Sequence, residues 1–170
     1  MPNQSLKLKA RLMRNFRKVL NILALRFFNV YGPNQRLDSN YGAVVPIFID
    51  LLSRGIQPKI YGTGQQSRDF VHVHDVARLL VGLAIDEWSS PSQSVYNVGT
   101  GNSITVMQLA SLTHKLTRSE NAFQPIFQSE RAGDIERSVA SITAIENDLH
   151  WKPEIQLEEG LRQLIKVKTS

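Results

Sequence analysis

Short apolar runs alternate with amphipathic stretches along this chain, and the alternation predicts strands and helices in turn. In SLKLKARLMRNFRKVL (5–20), Leu8, Leu12, Phe16, Val19 and Leu20 recur at three- and four-residue spacing, the stripe of a basic amphipathic helix. ILALRFFNVYGP (22–33) is a continuous apolar run closed by Gly-Pro, the pattern of a strand buried on both faces in a parallel sheet. Asn29 interrupts it near its carboxyl end, where open α/β sheets place their ligands. Residues 34–42 form a polar loop, and 43–54 read as a helix with Pro46 in its first turn, where a missing N–H does no harm. A strand at 58–61 ends in the turn Gly62-Thr63-Gly64. Phe70, His72 and His74 alternate with Val71 and Val73 as in a strand, and Asp75 is placed to cap a helix over 76–87. Beyond it come a strand at 95–98, a loop at 99–103, a helix at 106–117 capped by Thr105, a strand at 125–129, and helices at 141–149 and 157–167. Strands alternating with helices define the class as α/β.

Composition changes this picture little. A chain of 170 residues, 42% of them hydrophobic, fits a globular domain with a real core. The absence of cysteine excludes disulfides and thiolate metal sites and makes a reducing, cytoplasmic setting the expectation. No run approaches the roughly 18 apolar residues of a membrane span. The net charge of +5 is unevenly placed: eight of the 20 basic residues precede Asp38, the first acidic one. That is a block, not a basic face. It fits a nucleic-acid or membrane-surface helix, a transit peptide, or, the preferred reading, a surface helix whose stripe packs on a larger domain. Only weak, non-specific nucleic-acid binding is expected.

The chemistry begins with what is missing. Neither Gly62-Thr63-Gly64 nor Gly99-Thr100-Gly101 has the third glycine of a dinucleotide fingerprint, and neither leads into Lys-Ser or Lys-Thr, so both read as turns. No G-x-S-x-G elbow occurs. His72 and His74 lack a clear third ligand, so no metal is assigned. What remains suits a diphosphate. Arg68 and Arg131 come from separate segments, and arginine's rigid fork of donors matches phosphate. Asp134 could accept bonds from sugar hydroxyls, and Tyr61 could stack on a base. The competing reading makes Arg68–Asp69 and Arg131–Asp134 plain surface pairs, worth little.

LRFFNVYGP, PKIYGTGQQSRDFVHVHDVA, VYNVGTGNSITV, RAGDIERSVASI and ITAIENDLHWKP, in that order over residues 22–160, resemble the carboxyl-terminal half of extended short-chain dehydrogenases/reductases. More narrowly, they resemble nucleotide-sugar epimerases and dehydratases. The fold so implied is the carboxyl-terminal part of an NAD(P)-binding Rossmann-type epimerase. It would be a small substrate-binding α/β domain with remnant Rossmann strands. Residues 1–33 would be the remnant helix and strand, and 34–170 the substrate domain with one returning strand. The resemblance puts Asn29 on the sugar diphosphate, Phe27 and Phe28 beside a nicotinamide, and Ala43 and Val44 at the nucleotide. It puts Tyr61 at the uracil, Arg68 and Arg131 on the diphosphate, Asp134 on the ribose, and Ser138 beside the sugar. A small residue at the last position, with YGAVVP and GDIERS, is most like UDP-N-acetylglucosamine 4-epimerases.

The family's catalytic Tyr-x-x-x-Lys has no full counterpart. Lys7 could stand for the lysine, with a helix-to-strand spacing short by a few residues, and Asn3 would then hold the tyrosine's place. Asparagine cannot take a proton from a sugar hydroxyl, so no catalytic residue is assigned. The expectation is therefore the UDP-hexose or UDP-N-acetylhexosamine binding portion of an NAD-dependent 4-epimerase, inactive alone, with NAD bound by intact relatives and not by this chain. The alternatives are a non-catalytic binding or oligomerisation module and a dTDP-sugar dehydratase-like fragment. A UDP-sugar, and a second copy or partner chain covering 5–20, are the expected partners.

Overall fold

The computed structural model describes residues 22–36, 44–85, 91–118 and 120–169. The expected helix at 5–20, with Asn3 and Lys7, lies outside the described residues, as does Ala43.

The apolar run expected to form one strand is shared between two partners. β1 (Ala24–Phe27) pairs in parallel with β6 (Val95–Val98). After Phe28, β2 (Asn29–Tyr31) pairs in parallel with β5 (Phe70–His72). It is not buried on both faces, because Arg26 and Phe27 are exposed. β3 (Lys59–Tyr61) pairs in parallel with β8 (Ile126–Gln128). The two-residue β4 (Ser67–Arg68) lies between β7 (Ile104–Thr105), antiparallel to it, and β9 (Arg137–Ser138), parallel to it.

Five helices complete the described fold: α1 (Val44–Ser53), α2 (Val73–Ala84), α3 (Val106–Thr117), α4 (Thr143–Leu149) and α5 (Leu157–Thr169). None is long and apolar enough to cross a membrane. β5 has buried side chains on both faces, and successive strand residues point to opposite sides. Phe70 therefore joins one core, with Phe48, Ile49 and Leu52 of α1, Leu109 of α3 and Leu161 of α5. Val71 joins the other, with Val76, Leu79, Tyr96, Ile145, Leu149 and Trp151. The expected small domain with remnant strands is corrected here. Four strand pairings are parallel, three of them drawing on strands from residue 24 to residue 128, and α2 links β5 to β6, which pair with the adjoining β2 and β1, as in a Rossmann-like α/β fold.

Helix α2 starts three residues earlier than expected, so the alternation through His74 is strand only as far as His72. His72, not Asp75, is its N-cap: Nδ1 accepts the His74 backbone N–H at 3.3 Å. Asp75 is buried instead and accepts the Glu154 and Ile155 backbone N–H groups at 3.0 Å each, tying the 152–155 loop to α2. The cap at Thr105 is as expected, a reciprocal box with Gln108.

The His72 cap has a pH consequence. An Nδ1 that accepts a bond must be unprotonated, and burial, with His74 beside it, holds the imidazole below its ordinary 6.5 against the opposing pull of Asp75 and Glu159. The unfolded chain therefore takes up this proton first as pH falls below about 6.5. The stability His72 contributes is present above that pH and is lost on acidification. We expect urea midpoints to fall between roughly pH 7 and pH 5.5. The slope should flatten in His72→Asn, which keeps a capping oxygen but does not titrate. An identical slope in the variant would rule this assignment out.

Candidate functional site: a cleft between two loops

A cleft of about 250 Å³ opens between the end of β3 and the segment after β8, lined by Tyr61, Gln66, Glu130, Asp134 and Glu136 among others. Its floor is made by a reversal of the chain. Gly62 and Gly64 have φ of +63° and +75°, a region glycine enters at no steric cost, and they carry the backbone from Tyr61 round to β4.

Two of the residues expected to bind a nucleotide-sugar, Tyr61 and Asp134, line this cleft, and two more, Arg68 and Arg131, contact them from just outside its lining. Arg68 of β4 stands opposite Ser138 of β9. One Arg68 terminal nitrogen donates to the carbonyls of Ser67 (2.9 Å) and Ile135, and the other to the Asp134 carboxylate. Asp134 is folded toward it by a turn in which its N–H donates to the Arg131 carbonyl at 3.2 Å, with Gly133 at φ +77°. The Arg131 guanidinium carbon lies 3.8 Å from the centroid of the Tyr61 ring. The hydrogen bond and charge of Arg131 pull the Tyr61 phenol below its ordinary value. The pairs imagined from sequence are thus exchanged: Arg68 pairs with Asp134, and Arg131 sits on Tyr61.

Gln66, which the sequence did not single out, and Asp69, expected at most as a surface partner of Arg68, complete the frame. Gln66 donates from Nε2 to the Tyr61 carbonyl at 2.9 Å and to Asp134 at 3.4 Å, linking the two walls. Asp69 is fully buried and faces away from Arg68. Its Oδ1 accepts from the N–H and hydroxyl of Thr100 (2.8 and 2.7 Å), and its Oδ2 from the N–H groups of Gly101 (3.0 Å) and Ala140 (3.1 Å). Gly99 is required beside it: a Cβ there would lie 2.5 Å from Ala140 Cβ and 2.7 Å from Asp69 Oδ2. The Gly99-Thr100-Gly101 turn therefore does cradle an anion, but the anion is the protein's own carboxylate.

The other expected residues are more dispersed. Asn29 donates from both its backbone N–H and its Nδ2 to the Asp69 carbonyl, at 3.0 Å each, so it is tied to the strand that carries Arg68. Phe27 and Phe28 stand at the carboxyl end of β1, outside the cleft lining, where the Phe28 N–H donates to the Val98 carbonyl at 2.9 Å. Val44, half-buried at the start of α1, packs on the first core. His72 and His74 stack edge to face at 4.9 Å. No group of three metal-ligating side chains occurs among the described residues.

Comparison with known proteins fits this arrangement. Residues 9–99, more than half of the chain, match the NAD dependent epimerase/dehydratase family model, and the chain belongs to that family. The crystal structure of a UDP-glucose 4-epimerase from Thermotoga maritima, with UDP-glucose, is 36% identical (TM-score 0.75), matching 85% of this chain and 45% of its own. A UDP-N-acetylglucosamine 4-epimerase from Methanobrevibacter ruminantium, in complex with UDP-N-acetylmuramic acid, is 34% identical (TM-score 0.81), over 94% of this chain and 51% of its own. A UDP-glucose 4-epimerase of Thermus thermophilus, complexed with NAD, is 30% identical (TM-score 0.75), over 93% and 50%. The chain spans between 30% and 51% of the length of these and the leading curated relatives.

These findings correct two expectations. The likeness is not confined to carboxyl-terminal motifs beginning at residue 22, since the family match starts at residue 9 and the solved structures match 85–95% of the chain. Nor does the reading of a mere binding portion stand, because the matches are to UDP-sugar 4-epimerases over most of the chain. The motif reading began at residue 22 because the preceding segment carries no glycine or catalytic-tyrosine signal to anchor it.

Proposed function

We propose that the protein acts on a UDP-sugar in NAD-dependent 4-epimerase chemistry and that the cleft holds the UDP moiety. The observation that carries this is that Tyr61 and Asp134 line one cleft and that each is held by an arginine beside it, Arg131 on the Tyr61 ring and Arg68 on the Asp134 carboxylate. Three of the five Arg68 donor hydrogens are engaged by Ser67, Ile135 and Asp134, which fixes the guanidinium plane and leaves Nε–H and one terminal N–H for a phosphate. Arg131 supplies the second cation, Tyr61 a face for the base, and Asp134 an acceptor for ribose hydroxyls. Asn29 would meet the diphosphate from the β2 side. Ser138, opposite Arg68, would leave room for an N-acetyl group, which favours UDP-N-acetylhexosamines as substrates.

Bound NAD would supply the hydride acceptor for C4 of the sugar, with the C4 hydroxyl proton passing to a base outside the residues assigned here. Phe27, 47% exposed at the carboxyl end of a parallel strand, fits a contact with its nicotinamide face, with Phe28 beside it. Ala43, adjoining Val44, would add backbone contacts to the nucleotide. Self-association, expected from the apolar stripe of 5–20, belongs to the same proposal.

The test is calorimetric titration of the purified chain with UDP-N-acetylglucosamine, followed by proton NMR of its interconversion with UDP-N-acetylgalactosamine once NAD is added. Saturable binding and interconversion are expected. A folded chain that shows no binding would reject the reading.

A further inference from the structure

Beside the cleft, Arg131 occupies one face of the Tyr61 ring, a surface that a base would use. Its guanidinium carbon lies 3.8 Å from the Tyr61 ring centroid, in contact with the ring face, and no planar base can stack there until it leaves. Arg68 cannot trade places with it, being held by two carbonyls and Asp134. Arg131 is exposed, and its side chain can swing about its own torsions. The remaining charges nearby are unfriendly to a bare anion, because Glu130 and Glu136 both line the cleft.

Resting on the reading of this cleft as a UDP site, we infer that Arg131 is a specificity-determining residue that yields the Tyr61 ring only to a ligand bringing a base and a phosphate together. A base alone displaces a cation from an aromatic face and offers it no new partner. A diphosphate alone must draw the guanidinium off the ring and leaves the ring with nothing. A nucleoside diphosphate makes both exchanges at once: the base takes the ring, and the phosphate takes the guanidinium in a charge-assisted contact. Base and diphosphate should therefore bind cooperatively, by about what an exposed cation–π contact is worth.

The experiment titrates the full chain with inorganic pyrophosphate, uridine and UDP, using wild type, Tyr61→Leu, Tyr61→Phe and Arg131→Ala. Tyr61→Leu frees Arg131, so pyrophosphate should bind roughly two- to five-fold tighter, while UDP, deprived of its stacking face, should bind more weakly. Arg131→Ala frees the ring, so uridine should bind tighter by a similar factor and pyrophosphate more weakly. Tyr61→Phe keeps the ring and should keep the wild-type pattern. If wild type binds UDP but Tyr61→Leu binds pyrophosphate no better, and Arg131→Ala binds uridine no better, the inference is overturned and the cleft reading stands. A wild-type chain that does not bind UDP overturns both.

Discussion

Asp69→Asn is expected to destabilise the fold by about 2–4 kcal/mol, although it alters no surface and removes no volume. Four donors converge on the Asp69 carboxylate, two on each oxygen, and all four are uncharged. An amide offers one acceptor where two are needed, and turns an NH₂ toward N–H groups that are already donors. Turned toward Gly101 and Ala140, the NH₂ leaves both of their N–H groups without a partner; turned toward Thr100, it strands the Thr100 N–H while the hydroxyl can turn to the Asn102 carbonyl, and each group stranded away from water costs about 1–3 kcal/mol. No repacking relieves this, because Gly99 and Ala140 close on the carboxylate. The measurement is a urea titration, read as a fall in midpoint at unchanged slope. Two controls bracket it. Thr100→Val removes the hydroxyl bond to Asp69 together with the exposed hydroxyl contacts to the Asn102 carbonyl and N–H, and should cost about 1–2 kcal/mol. Glu158→Gln breaks only the exposed i,i+4 pair with Arg162 and should stay within about 0.5 kcal/mol of wild type. An Asp69→Asn midpoint indistinguishable from that of Glu158→Gln would sink the account.

Asp69 also shows where the sequence stopped being legible. The α/β alternation, the Thr105 cap, the turn at Gly62–Gly64 and the placement of Pro46 follow from local chemistry and can be read from short windows. Asp69 looks, in such a window, like the surface partner of Arg68. It is in fact the residue at which the chain leaves one strand group and joins another: β4 pairs with β7 and β9, β5 pairs with β2, and Asp69 lies between them with its carbonyl bound by Asn29. Its donors stand 31, 32 and 71 residues away. The two glycines around Thr100 are the only trace in the sequence of a carboxylate needing close backbone approach. The division of 22–33 into two strands was hidden for the same reason, since an apolar run does not state which partner each half will find. The start of α2 was misplaced because Asp75 is a better intrinsic cap than His72, and its carboxylate was already committed to the 154–155 backbone. Tyr61, Arg68, Arg131 and Asp134 stood out because arginine, aspartate and tyrosine next to glycine turns are rarely explained by packing, and the family resemblance supplied their expected roles. Their pairing was not found, because it depends on how the turn at 131–134 folds back.

That pairing sets the second large effect. Arg68→Ala should weaken UDP-N-acetylglucosamine binding by at least about ten-fold, since a charge-assisted phosphate contact contributes about 1.5–3 kcal/mol. It also removes the clamp on Asp134 and on the Ile135 carbonyl, so part of the loss comes from loosening the wall that carries Asp134, the proposed ribose acceptor. Arg68→Lys separates the two contributions. An ammonium keeps the charge but cannot hold two carbonyls and a carboxylate in one plane while presenting further donors to a phosphate. If Arg68 acts only as a charge, lysine restores most of the affinity. If it acts as a fixed plate, as its 17% exposed side chain and three engaged donors indicate, lysine recovers little. Asp134→Asn then decides whether the clamp or the ribose contact matters more, with UDP and the ribose-free pyrophosphate as paired ligands. An affinity loss confined to UDP assigns Asp134 to the ribose, and equal losses assign it to holding Arg68. Arg68→Ala binding within two-fold of wild type would remove Arg68 from the site altogether.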